Sequence, residues 1–511
     1  RRRNLQNIHE ALLAVHFPAN DAQMEALIDG RSEAHRRLIY DEFFFFQLGM
    51  AIKKSGRVLD KGIAFSVHGR LPKKFYDSLP FTLTGAQVRV IDEIQHDLQA
   101  ATAMNRLLQG DVGSGKTLVA MAAMITVCEN RYQAALMVPT EILAKQHFAT
   151  LSEWARPIGL RVVLLTGNMP NSARSEVLEQ IQSGQADMIV GTHALIQEDV
   201  DFKRLGLVVI DEQHRFGVLQ RATLRTKGIR ADVLVMTATP IPRTLAMTVY
   251  GDLDVSVIDE LPPGKKPVRT FLMGDNKREA VYETIRKELS KGHQAFIVYP
   301  LVEQSESLDL KDATKMADHL QRDVFPQFRI GLIHGRMKDK EKEDVMRDFL
   351  DRKISILVAT TVIEVGIDVP RASLMVIEHA ERFGLSQLHQ LRGRVGRRDI
   401  PSSCILLADY KVSADARQRL KVMEKTTDGF ALAEEDLAIR GPGDFLGTRQ
   451  SGLPDFRIAS IIRDARILND AKEDAFALAS RDPLLAKPEH AVLKEALIAR
   501  WQGKLDLGRT G

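Results

Sequence analysis

The sequence predicts an α/β chain built from two parallel-sheet domains in tandem, with a helical segment before them and a helical, looped extension after them. Three observations predict it. Short β-rich apolar runs alternate with helical stretches twice over, from about 81 to 262 and from about 265 to 410. Leu261-Pro-Pro-Gly264 breaks the pattern between the two blocks and reads as a linker. The first block carries, at 110–117, the complete spacing of a phosphate-binding loop.

The elements follow in chain order. Residues 1–80 read as helices and connections, with Ser32 as the N-cap of a helix running to about Lys54. Phe43 to Phe46 cover nearly all sides of that helix, which fits a buried support better than a binding surface. In the first block the expected strands are Ala134–Val138, Arg161–Leu165, Asp187–Val190, Leu207–Ile210 and Val233–Met236. In the second they are Gln294–Tyr299, Arg329–Ile333, Ile354–Ala359, Leu374–Ile377 and Ser403–Leu407. From about 411 the chain is charged and helical, and Arg440 to Gly452, dense in glycine and proline, reads as a shaped loop. The expected division is therefore 1–80, 81–262, 263–410 and 411–511.

Composition sets the outer bounds. The 511 residues are 44% hydrophobic and 27% charged, ordinary for a globular protein. Lys plus Arg is 71 and Asp plus Glu 67, so the net charge of +4 excludes a strongly basic scaffold and a highly acidic disordered chain. Cys128 and Cys404 lie in apolar segments with no CxxC spacing, which argues against zinc and disulfides. The longest apolar stretch, Leu118 to Cys128, is too short to span a bilayer, so no membrane partner is expected. The chain opens Arg-Arg-Arg without methionine and reads as a fragment.

The chemistry starts at Gly110-Asp-Val-Gly113-Ser-Gly115-Lys116-Thr117. Glycines let backbone N–H groups curl around phosphate oxygens, and the helix that follows aims its positive end at the same anion. Lys116 would reach the β- and γ-phosphates of ATP, and Thr117 would offer its hydroxyl to Mg²⁺. Leu207-Val-Val-Ile-Asp211-Glu212 is an apolar strand ending in two carboxylates, one to hold Mg²⁺ and the other to deprotonate the attacking water. Charge growing on the γ-phosphate needs further cations, and Gln390-Leu-Arg-Gly-Arg394-Val-Gly-Arg397 in the second block offers them. Three-residue spacing would put Arg394 and Arg397 on one face of a helical turn. Nucleotide bound between the two blocks would then move them as it is hydrolysed. His193, His214, His334, His379 and His389 lack metal-ligand spacing.

With these residues in place, the chain resembles the superfamily 2 helicases, whose fold is a pair of RecA-like P-loop NTPase lobes. The motif order runs Phe81 to Gln87, the phosphate loop, Val138-Pro-Thr-Glu141, Gly191-Thr-His193, Asp211 to Gly217 and Thr237 to Arg243, then His334 to Met337, Ala359 to Asp368 and Gln390 to Arg397. Asp211-Glu-Gln-His-Arg-Phe-Gly217 and the Arg440–Gly452 stretch narrow the resemblance to the RecG family of branch-migration helicases. The resemblance implies ATP-driven translocation on duplex DNA and remodelling of stalled forks and Holliday junctions in recombination and repair. It implies that Gln87 reads adenine and Asp368 approaches the ribose. His214, Thr237, Thr239, Arg243 and Gln390 would couple the nucleotide site to DNA. Arg419, Arg440 and Gln450 would belong to the translocation element, a helical hairpin and loop. Thr140, Gly167, Thr192, Arg336 and Thr361 match positions that hold DNA phosphates, as a translocase that reads no sequence requires. A monomer on branched DNA in the bacterial cytoplasm, associated with the nucleoid, follows from the same resemblance. So does docking to single-strand-binding protein, although no motif here carries it. The family also has an N-terminal wedge that splits forks, for which residues 1–80 are too short and too helical. Two other readings stay open: a nucleotide-gated junction clamp without remodelling activity, and the helicase module of a transcription-repair coupling factor. A DEAH-type RNA helicase is disfavoured by Gln213, Phe216 and the 440–452 stretch.

Overall fold

The computed structural model describes residues 3–19, 24–58, 62–212, 231–238, 253–264, 266–300, 306–360, 369–396, 400–409, 412–445, 456–461 and 463–501. The first sheet is built from β1 (Asn105–Gly110), β2 (Gln133–Met137), β3 (Val162–Leu165), β4 (Met188–Gly191), β5 (Leu205–Asp211), β6 (Asp232–Thr237) and β7 (Asp254–Ile258). Their spatial order is β3-β4-β2-β5-β6-β1-β7 and every neighbouring pair is parallel. The second sheet holds β8 (Arg269–Gly274), β9 (Gln294–Val298), β10 (Ile330–Ile333), β11 (Ile356–Ala359), β12 (Ala372–Ile377) and β13 (Ser403–Ala408). It runs β10-β11-β9-β12-β13-β8, again wholly parallel. Helices cover the faces of such sheets, which is why the inner strands read as unbroken apolar runs: β2, β6 and β12 are buried at every position.

The helices in chain order are α1 (Ile8–His16), α2 (Met24–Ile28), α3 (Glu33–Val58), α4 (Arg70–Ser78), α5 (Gly85–Gln99), α6 (Lys116–Glu129), α7 (Glu141–Ala155) and α8 (Asn171–Ser183). They continue with α9 (Arg278–Ser290), α10 (Glu306–His319), α11 (Asp339–Leu350), α12 (Leu385–Arg392), α13 (Ala414–Lys425), α14 (Gly429–Phe445), α15 (Ala465–Arg481) and α16 (Ala491–Arg500). Helix α6 is buried at every position from Leu118 to Cys128, so it sits inside the first lobe rather than on its surface. None of the described helices is long and apolar enough to cross a membrane. Both cysteines are buried and unpaired, and burial pushes the Cys404 thiol up to about 12.

The sequence reading finds ten of these strands and misses β1, β7 and β8. Strand β1 is buried between β6 and the edge strand β7 but contains Arg106 and Gln109, which break its apolar run. Arg106 is buried because Asp97 (2.7 Å) and Glu93 (3.3 Å) on α5 and the Ser256 hydroxyl (2.7 Å) on β7 receive its guanidinium. Strands β7 and β8 close the edges of their sheets and keep polar residues there. The stretch from Arg440 also departs from expectation. The helix continues through it to Phe445, anchored by buried Leu432, Ala433 and Leu437, and Pro442 costs it a hydrogen bond only near its end.

The two ends of the chain fold together. Phe43 and Phe46 of α3 are buried and take the Phe456 ring edge-on, with centroids 5.3 and 5.5 Å away. Glu42, one position before Phe43, accepts the backbone N–H groups of Arg457 (2.9 Å), Ile458 (3.2 Å) and Ala459 (2.9 Å). Ala471, Ala475 and Ala479 give α15 a face of small buried residues against α3. Each large apolar side chain buried in this seam contributes roughly 1.5–3 kcal/mol. Lys54 of α3 then reaches Asp254 on β7 at 2.6 Å, tying the helical unit to the first lobe.

Asp232 at the start of β6 accepts the Met104 N–H at 2.6 Å, yet burial pushes its carboxyl up to about 8. A folded-state value above the unfolded one, near 4, means that ionisation opposes folding. Stability should therefore fall as pH rises from about 4 to about 8, by on the order of 5 kcal/mol. Asp232→Asn should flatten that slope in urea titrations at pH 5 and pH 8.5, and an unchanged slope would refute the assignment.

Candidate functional site

Strands β1, β5 and β6 end side by side at the carboxyl edge of the first sheet, because β6 pairs with both of the others. That edge is where open parallel sheets hold ligands. Strand β1 runs into Gly110 and the phosphate loop, β5 ends at Asp211 with Glu212 next, and β6 ends at Thr237, which is buried and in register with Gln109.

The loop has the form its glycines predict. Gly113 (φ 75°) and Gly115 (φ 92°) take the left-handed backbone that other residues resist. A Cβ at Gly110 would lie 2.5 Å from the Ser114 hydroxyl. Lys116 Nζ donates to the carbonyls of Gly110 (2.8 Å) and Asp111 (3.0 Å), so its ammonium lies folded over its own loop. Thr117 follows, half-buried, in the first turn of α6.

Gln87 sits at the start of α5. Its Oε1 accepts the Thr84 N–H (3.0 Å), its own N–H reaches the Thr84 hydroxyl (3.2 Å), and its Nε2 donates to the Ser114 carbonyl (2.9 Å). In this arrangement Gln87 is a strut between α5 and the phosphate loop, and both ends of its amide are engaged. Beside it, Tyr76, Leu79, Pro80, Phe81, Thr82, Leu83 and Val88 line an open cavity of about 500 Å³. Phe81 is 48% exposed there, an apolar face suited to a planar ring that the sequence reading quotes but gives no role.

Asp211 would be raised by burial, but the His147 imidazole at 3.1 Å and the Lys116 charge outweigh this and hold the carboxyl below its ordinary value. His147, on α7, is a contributor that no motif announces. Glu212 is buried and takes φ 54°, a left-handed conformation unusual for glutamate and of the kind found at functional sites.

The second lobe meets this edge through α12 and the residues after it. His389 Nε2 lies 2.6 Å from Asp111 Oδ1, and a Cβ at Gly393 would come within 2.9 Å of Val112. A further bridge between lobes joins Lys145 of α7 to Glu343 of α11 at 2.7 Å. Gln390 and Arg394 are buried at the contact. The expectation of a helical turn carrying Arg394 is corrected here, and Arg397 lies outside the described residues. Helix α12 stops at Arg392, Arg394 lies beyond its cap, and Gly396 turns the chain with φ 77°. The two glycines are needed for close approach and for a turn, not tolerated inside a helix.

The remaining candidates scatter. Thr140 caps α7 by accepting the Leu143 N–H (3.4 Å). Gly167 is exposed and close to the Glu141 carboxylate. Thr192 is 2% exposed, so its hydroxyl does not face solvent. Arg336 is exposed after β10. Arg419 of α13 donates to the Glu381 carbonyl at 3.3 Å. His214, Thr239, Arg243, Thr361, Asp368, Arg397 and Gln450 lie outside the described residues, as does the Arg440 side chain. Among the described residues no cluster of His, Cys, Asp or Glu forms a metal cage.

Two parallel-sheet lobes, one with a phosphate loop and paired carboxylates, the other presenting an arginine-bearing turn to that loop, define the RecA-like helicase class. Family comparison agrees: residues 84–248 match the DEAD/DEAH box helicases, 276–399 the helicase conserved C-terminal domain, and 426–506 domain 3 of the ATP-dependent DNA helicase RecG. The chain belongs to the RecG family. It is 52% identical over 98% of its length to ATP-dependent DNA helicase RecG of Synechocystis sp., of which it spans 59%, and 48% identical over 97% to that of Bacillus subtilis, of which it spans 71%. A structure of RecG bound to a three-way DNA junction superposes with a TM-score of 0.74 at 45% identity, covering 91% of this chain and 60% of that one.

The Gly393 contact yields a test. Gly393→Ala should press on Val112, part the lobes and slow ATP turnover about tenfold, or ~1.4 kcal/mol. Adding Val112→Ala should restore most of the loss, and failure of that rescue would sink the contact's role.

Proposed function

We propose that the chain is the ATP-hydrolysing motor of a duplex DNA translocase that remodels stalled forks and Holliday junctions. The observation that carries the reading is the direct contact of the second lobe with the phosphate loop, His389 to Asp111 at 2.6 Å, beside Asp211 and Glu212. Nucleotide entering that seam has to act on both lobes. In this reading residues 81–262 and 263–410 are the lobes, 1–80 is a helical linker following a wedge domain, and 411–511 carries the translocation hairpin. The site of action is the nucleoid in the bacterial cytoplasm, the active form a monomer, and single-strand-binding protein a docking partner.

The residues fit nucleotide chemistry. A phosphate would take the Lys116 ammonium from the two carbonyls it now holds, and the loop N–H groups would receive the oxygens. Mg²⁺ would be held by Thr117 and by Asp211, whose carboxylate His147 keeps ionised, and would supply charge neutralisation between the phosphates. Glu212, next to Asp211, accepts the proton of the attacking water, and Arg394 with Arg397 balances charge on the γ-phosphate. Phe81 stacks on the base while Gln87 exchanges a capping bond to read its edge.

Lys116→Ala should abolish DNA-stimulated ATP hydrolysis, and full activity in that variant would overturn the motor reading. Glu212→Gln should slow turnover about 10²-fold or more while nucleotide binding by fluorescence titration is kept. Duplex DNA should stimulate hydrolysis and RNA should not. A second reading is a nucleotide-gated clamp that grips junctions without remodelling them. Junction binding and ATP hydrolysis without branch migration would favour it.

A further inference from the structure

Helix α7 turns one face to the first sheet, and Leu143, Ala144, His147, Leu151 and Ala155 are the buried residues of that face. Four of the five are apolar, as a helix packed on a sheet requires, and His147 is the exception. A buried imidazole costs stability unless a partner receives it. Among the described residues its one hydrogen-bond partner is Asp211, whose Oδ2 lies 3.1 Å from His147 Nε2. Packing alone does not ask for this chemistry, since an apolar side chain of similar volume would fill the same space at lower desolvation cost. The polar residue on the apolar stripe is thus the one that reaches the last residue of β5.

Donors and acceptors fix the roles. A carboxylate that is to hold a metal has no proton to give, so His147 donates from Nε2. Asp211 Oδ1 accepts the Glu212 N–H at 3.0 Å, so each oxygen of the carboxylate has one donor. Two of its roughly four lone-pair positions are spent on orientation, and the others are left for a metal and its waters. Without His147 the carboxylate would be held at Oδ1 alone, by the amide of a residue already in a left-handed conformation, and could swing about its Cβ–Cγ bond. The helix that carries the imidazole is a firm mount. Thr140 caps its start, its buried face packs on the first sheet, Ile142 packs against the core of the second lobe, and Lys145 reaches Glu343 at 2.7 Å.

We propose that His147 is a positioning residue of the metal site, its Nε2–H aiming the Asp211 carboxylate at the divalent cation that accompanies the nucleotide. This rests on the nucleotide-binding reading above. The test titrates Mg²⁺ into this chain with a fluorescent, non-hydrolysable ATP analogue and reads binding, so no turnover is needed. His147→Phe keeps the volume and loses the donor. It should raise the Mg²⁺ concentration for half-maximal binding roughly ten- to a hundredfold and leave binding in EDTA unchanged. His147→Gln carries an N–H to about the place of Nε2 and should recover most of that loss. His147→Asn, whose amide falls short of Asp211, should repeat the loss, so the result does not hang on whether phenylalanine is accommodated. Asp211→Asn should raise the requirement at least as far, and adding His147→Phe to it should raise it no further. An unchanged Mg²⁺ requirement in both His147→Phe and His147→Asn would overturn the proposal. Equal losses in His147→Phe and His147→Gln would overturn it too, by marking a packing role, and so would losses that multiply in the double variant. If the unaltered chain fails to bind the analogue with or without Mg²⁺, the nucleotide reading itself falls, and the role of His147 with it.

Discussion

A phosphate loop must leave its backbone bare, and much of the first lobe is arranged around that constraint. Gly113 and Gly115 turn the chain through the left-handed region, and Gly110 leaves space for Ser114. Lys116 folds back over the loop from within, and the loop is held from outside as well. Strand β1 carries it from the interior of the sheet, the fully buried α6 fixes its far end, and Gln87 pins the Ser114 carbonyl. The second lobe applies the same economy of side chains where Gly393 meets Val112. A loop held by its neighbours is also one that its neighbours can sense.

The helical parts have a comparable logic. Residues more than 400 positions apart in sequence, Glu42 and Arg457 to Ala459, are joined by three hydrogen bonds to one carboxylate. A phenylalanine block that looks excessive on an isolated helix is accounted for by Phe456 and Trp501, which pack against it from the C-terminal side. The N-terminal helix thus serves as a mount for the C-terminal ones, and Lys54 fastens the mount to the first lobe.

How much was legible in the sequence depended on how local the cause was. Strands buried on both faces announce themselves as apolar runs, so β2, β5 and β9 were found. Strand β1 was not, because the partners that make Arg106 acceptable in a sheet lie on α5 and β7. The helical placement of Arg394 fails because the helix is capped at Gly393 and the chain turns at Gly396. The helix through Arg440 was misread for the opposite reason: buried anchors upstream overrode a composition that favours turns. Thr140 matches a DNA-contact position and also caps α7, a local role that follows from its place before the helix.

The sequence by itself determined the chemistry that needs only spacing: Gly110 to Thr117, the carboxylates after β5, and the order of motifs that marks the family. Those features act within a few residues of chain, so their geometry follows from local backbone rules. The tertiary structure alone decided which distant groups complete them. His147 on Asp211, His389 on Asp111 and Arg392 on the α13–α14 turn join elements that only folding brings within 3.1 Å, and no pattern in a linear chain encodes a contact between its lobes.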